Sequence, residues 1–198
     1  QGDDFLLIEE RLPDGGYRTE LTDHGSYSLD VSYPDGSLKH QEIRHEGGLT
    51  LIKDYLPDGS PSRSELIYPG EDGLDCVKEY SEGGGFHEVH TTPGGVRVFV
   101  LDMRADGSWN SVRYGEGAAS FTETREYVPG QYYYESRSEA GRQRSVRLDA
   151  SAHLHIETAP AGGSGAAGNK EVEYDGPASG AAWPFTLEHY ATAYESIE

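Results

Sequence analysis

Cysteine and methionine each occur once among the 198 residues, and tryptophan twice. Cys76 has no second cysteine to pair with, so the chain carries no internal disulfide. This favours a reducing compartment such as the cytoplasm and leaves a disulfide-free secreted protein open. Basic residues are also scarce: 16 Lys and Arg stand against 35 Asp and Glu, a formal net charge of -19. Such an excess repels nucleic-acid phosphates and anionic lipid, so neither nucleic acid nor membrane is expected as a partner. Hydrophobic residues make up 35% of the chain, where a globular domain usually has about 45–50%. That is too little for a thick core. No stretch approaches the ~18 consecutive apolar residues of a membrane-spanning helix. The chain opens on Gln1 rather than Met, which fits a processed or cut N-terminus.

Glycine (26) and tyrosine (14) are abundant instead. Tyr33-Pro34-Asp35-Gly36-Ser37 returns as Leu56-Pro57-Asp58-Gly59-Ser60, with the two aspartates 23 positions apart and Glu46-Gly47-Gly48 between them. Proline presets the φ of a turn's first corner, aspartate accepts from the backbone just beyond it, and glycine takes the positive φ of a tight hairpin. Similar clusters recur every 10 to 13 residues from Pro13-Asp14-Gly15 to Gly141. Between them side chains alternate, as in Tyr27, Leu29, Val31 and Tyr33 against Ser28, Asp30 and Ser32. The pattern predicts an all-β fold, an antiparallel meander of about thirteen short strands built from ~23-residue hairpin repeats. The sheet is expected to be open, single-layered or curled, with a closed barrel as the alternative.

Arg144–Glu157 reads as one long last strand of this beat, giving a repeat array over 1–158. Ala159 to Gly168 is rich in Gly, Ala and Ser, and a linker is expected over 159–169. The remainder, 170–198, offers a further strand at Lys170–Tyr174 and then a short helix. In that helix, Leu187, Tyr190, Ala191 and Tyr194 fall at helical spacing behind Thr186 as N-cap. It is expected to pack on the sheet or on a neighbouring molecule.

The repeated unit resembles the MORN repeat, also about 23 residues long, and at the same level the tyrosine–aspartate hairpin repeats of bacterial toxin shells and the Pro-Asp-Gly sheet of centriolar proteins. The likeness rests on Tyr33–Ser37, Tyr55–Ser60 and Asp106–Ser108. The Tyr-x-Gly that follows the MORN turn is replaced here by Leu38-Lys39-His40. What the resemblance implies is a non-enzymatic structural or binding module.

Candidate chemistry is sparse. Trp109, Tyr127, Tyr132 and Tyr134 sit on neighbouring strands and suit an aromatic surface for a peptide or a glycan; the bland alternative is that they plate a thin sheet. His153, His155 and Glu157 alternate along one strand, a spacing that presents metal ligands, with His87, Glu88 or His90 as further donors. The bland alternative is a solvated polar face opposite Leu154 and Ile156. His87-Glu88-x-His90 is one residue too short for a zincin helix and lies in a strand, which puts its histidines on opposite faces. The acidic turns lack the Asp-x-Asp-x-Asp-Gly order of a calcium loop. No catalytic residue and no cofactor are assigned. The expected function is a binding or assembly scaffold. A protein or peptide partner, or a second copy, would be engaged through tyrosine-rich strands, sheet edges or the C-terminal helix. A carbohydrate-binding module and a metal-dependent barrel enzyme are the alternatives.

Overall fold

The computed structural model describes residues 5–70, 73–115, 120–160 and 171–177, which form fifteen antiparallel strands and no helix. They divide into two compact units, 1–97 and 98–198. The first holds β1 (Phe5–Arg11), β2 (Tyr17–Asp23), β3 (Ser26–Ser32), β4 (Leu38–Arg44), β5 (Thr50–Tyr55), β6 (Pro61–Ile67), β7 (Asp75–Tyr80) and β8 (Phe86–Thr91). The second holds β9 (Arg97–Met103), β10 (Trp109–Gly115), β11 (Phe121–Val128), β12 (Tyr132–Glu139), β13 (Arg142–Asp149), β14 (His153–Pro160) and β15 (Glu171–Pro177). Within each unit the strands follow sequence order, each paired with its neighbours in the chain. A linear order leaves first and last strands unpaired with each other, so neither unit is the barrel that the sequence left open.

Turn chemistry sets this order. Tyr33 N donates to Ser37 O at 2.8 Å and Gly36 N to Tyr33 O at 2.9 Å, closing a hairpin loop with Gly36 at φ 88°. The same pair of bonds closes the loops that start at Leu12, His45, Leu56, Ser81, Thr92 and Arg104. Each has its glycine at a positive φ, a backbone conformation that side-chain-bearing residues rarely adopt. In the Asp-Gly-Ser versions the aspartate completes the loop. Asp35 Oδ1 accepts from Ser37 N at 2.9 Å and from Ser37 Oγ at 2.7 Å, and Asp58 and Asp106 do the same with Ser60 and Ser108. The phrase's tyrosine ties one repeat to the next, since Tyr33 Oη donates to Tyr55 O at 2.9 Å.

The expected long strand over Arg144–Glu157 is instead a hairpin, β13–β14. Ala152 adopts φ 57° and Asp149 Oδ1 accepts from the amides of Ser151 and His153, both at 2.9 Å. The turn has neither Gly nor Pro, so alternation runs through it unbroken in the sequence. The beat therefore continues one step further than the glycines mark it. Ala159 and Pro160, assigned to the linker, belong to β14, and the further strand is observed as Glu171–Pro177. The expected helix lies outside the described residues.

The two units differ in core. Among the described residues of the first, only Gly16 and Gly85 are buried, as a single-layer sheet with solvent on both faces requires. The second buries Phe99, Leu101, Trp109, Tyr127, Tyr133, Val146, Leu148, Leu154 and Ile156. Register explains why these share one face. Met103, Trp109, Tyr127, Tyr133, Leu148 and Leu154 are successive cross-strand partners, with Leu101, Val146 and Ile156 two residues along. Each fully buried side chain of this kind contributes about 1.5–3 kcal/mol.

Candidate functional site

The four predicted aromatic residues do not form one surface. Trp109 and Tyr127 lie on the buried face of the second unit, ring centroids 6.1 Å apart, and the ring that joins them is Tyr133, edge-on to Trp109 at 6.4 Å. Tyr133 Oη stays satisfied by donating to Glu135 Oε2 at 2.8 Å. Tyr132 and Tyr134 point the other way, because neighbours along a strand alternate. They are half-buried, with the Arg147 guanidinium 5.1 Å from the Tyr132 ring centroid. The hydrogen bond from Tyr132 to Glu126, with burial second, raises the phenol's pKa.

His153, His155 and Glu157 share a face of β14, as their spacing predicts. His155 Nε2 is 3.6 Å from Glu157 Oε2. Arg147 is directly across the ladder from His155. The donors expected from a neighbouring strand are not on a strand paired with β14. β14 pairs with β13 and β15, whereas His87, Glu88 and His90 belong to β8 of the first unit.

The structure gathers metal-ligating atoms elsewhere, at Cys76, Glu88 and His90, whose donor atoms lie within 4.8 Å of one another. The hairpin β7–β8 does this. Its glycine turn pairs Cys76 with His90 and Lys78 with Glu88, so all four share one face. His90 Nε2 is 2.6 Å from Glu88 Oε1, and Cys76 Sγ approaches the same oxygen at 3.7 Å. Glu88 Oε2 is held by Lys78 Nζ at 2.7 Å, and that ammonium rides over the Phe86 ring at 4.3 Å. All three donors are half-buried.

Electrostatics divides the cluster sharply. Burial alone would push Glu88 up, but hydrogen bonds from His90 and Lys78 and the charge of Lys78 bring its pKa down to about 2. Burial, with the Glu88 charge second, pushes the Cys76 thiol up to about 11. At neutral pH the site is thus a thiol beside a firmly ionised carboxylate. Spacing alone offers Glu88 and His90 only as further donors to His153, His155 and Glu157, and Cys76 only as a cysteine without a disulfide partner. Counting outward from the turn at Gly83 places 76 opposite 90, so the pairing was there to be found.

A second feature is the strand β1. All seven of its residues are exposed, with Phe5 at 58%, Leu6 at 56%, Leu7 at 49% and Ile8 at 41%. Among the described residues it pairs only with β2. No helix among the described residues is long and apolar enough to cross a membrane.

No protein-family model matches the chain. Over 75 residues it is 33% identical to the urease accessory protein UreD of Alkalilimnicola ehrlichii, an alignment covering 35% of this chain and 24% of that protein. The chain thus spans about a quarter of the length of the curated relative it matches.

Proposed function

We propose that the chain is a non-enzymatic scaffold that binds a protein partner by strand addition along β1. The observation that carries this is β1, which among the described residues is paired on one side only and has Phe5, Leu6, Leu7 and Ile8 exposed. Such an edge offers a row of backbone N–H and C=O groups and apolar side chains on either side of them, which is what an added strand requires. Natural sheets usually blunt an edge with charge or proline; the first half of β1 has neither. The tyrosine-rich strands fit this role less well, since Tyr127 and Tyr133 are consumed in the core. Burial of Trp109 and Tyr127 counts equally against a carbohydrate surface, and the linear strand order against a barrel enzyme.

The likeness to a urease accessory protein supports an assembly role and makes urease the first partner to test. The immobilised chain should capture purified urease, and Leu6→Lys with Ile8→Lys should abolish capture while leaving the far-UV spectrum unchanged. Light scattering on the chain alone tests a second copy as the occupant. Equal capture by the edge variant overturns the proposal, as does the absence of both capture and self-association.

A further inference from the structure

We infer that Cys76, Glu88 and His90 form a binding site for one divalent transition-metal ion of the borderline-soft class to which zinc belongs. This is independent of the scaffold role, which uses β1. Three observations carry it.

The first is convergence. A sulfur, a carboxylate oxygen and an imidazole nitrogen, on adjacent strands of one tight hairpin, lie within 4.8 Å of one another. Ligand atoms around a tetrahedral zinc ion, with bonds of about 2.0–2.3 Å, stand roughly 3.3–3.8 Å apart. His90 Nε2 and Cys76 Sγ already stand 2.6 and 3.7 Å from Glu88 Oε1.

The second is donor chemistry. A cysteine and a histidine select zinc, cobalt and their neighbours over calcium and magnesium, which require an all-oxygen shell. Three protein ligands leave a fourth position for water.

The third is the support behind the ligands. Lys78 holds Glu88 Oε2 and is itself fixed over Phe86, so Oε1 is the oxygen turned toward Cys76 and His90. Orientation of a ligating carboxylate by an outer hydrogen bond is the usual arrangement around a bound metal. On binding, the Cys76 proton passes to water. The thiolate and carboxylate then balance the two charges of the ion, and Lys78 keeps its bond to the second oxygen.

The chain has one cysteine, which makes the test unambiguous. The untagged chain of residues 1–198 is titrated with ZnCl2 by calorimetry and with CoCl2 by absorption. One ion per chain is expected, and the cobalt form should show a thiolate-to-cobalt charge-transfer band that only Cys76 can supply. Cys76→Ser and His90→Gln should each weaken zinc binding by at least about tenfold, whereas His153→Gln with His155→Gln should leave it unchanged. Cobalt bound without the thiolate band overturns the assignment, and so does zinc affinity that survives Cys76→Ser or falls with the β14 pair. No zinc bound at micromolar concentration also overturns it. If Cys76→Ser fails to fold, the cobalt spectrum of the natural chain decides alone.

Discussion

At the scale of single residues, the turns hold most of the specificity and are the easiest place to measure it. Asp35, Asp58 and Asp106 each accept from a serine hydroxyl and then from that serine's amide, and these bonds hold their carboxyls below the ordinary 3.8. A group whose pKa falls on folding contributes stability that is present above its unfolded value and lost as pH drops through the folded one. The three aspartates therefore stabilise the fold above the ordinary carboxyl value, and that contribution is lost as the pH falls through their lowered folded values. Asparagine keeps the side-chain oxygen that caps the turn but does not titrate. The triple Asp→Asn variant should show a smaller fall in urea midpoint between pH 5 and pH 3 than the natural chain; an equal fall would contradict the assignment. Ala140 presents the opposite case. It sits at φ 49° before Gly141 at φ 76°, a turn in which both corners are left-handed. Alanine pays for that geometry and asparagine largely does not. Ala140→Asn should raise stability by about 1 kcal/mol in denaturant titration.

At the scale of elements, what was legible in the sequence follows from what is local. Gly, Pro and Asp announce their turns because they act on their own φ or on the next two amides, so the hairpins from β1 to β13 could be read off. The β13–β14 turn could not, because Asp149-Ala150-Ser151-Ala152 turns with residues that also suit a strand. Pairings across a hairpin were countable: Tyr127 with Tyr133 around Gly130, and Cys76 with His90 around Gly83. What no counting supplies is depth. Alternation predicts a buried face in β3 as well as in β14, yet Leu29 is half-buried and Leu154 is 2% exposed. The Lys78 bridge that aims Glu88 is likewise a matter of rotamers, invisible to spacing. Depth is testable by truncation. Leu154→Ala leaves a cavity among Val146, Leu148 and Ile156 and should cost about 2–5 kcal/mol. Leu29→Ala, in a sheet with water on both faces, should cost about 1 kcal/mol. Equal losses in denaturant unfolding would mean that burial does not separate the two units.

At the scale of the whole molecule, charge is the term that no single contact reveals. With 35 acidic and 16 basic residues, the folded state crowds like charges that the unfolded chain spreads apart, and that repulsion works against compactness. Local pairs relieve it unevenly. Arg125 bridges Glu123 at 2.9 Å and Glu135 at 3.5 Å, and Arg137 reaches Glu139 at 3.0 Å, but the overall excess remains at -19. Added salt screens both kinds of interaction. Surface pairs contribute about 0–1 kcal/mol each, so their weakening is small, whereas relief of repulsion accumulates over every excess carboxylate. The balance falls on the side of stabilisation. The urea midpoint at pH 7 should rise with NaCl, most steeply below ~0.15 M, where the screening length still exceeds ~8 Å. Exclusion of kosmotropic salt from the surface would also stabilise, and the two causes separate cleanly. Screening makes NaCl and Na2SO4 equivalent at matched ionic strength and saturates, while exclusion favours sulfate and keeps rising. A midpoint that falls with NaCl would mean that local ion pairs, rather than the acidic excess, set the electrostatic stability of this fold.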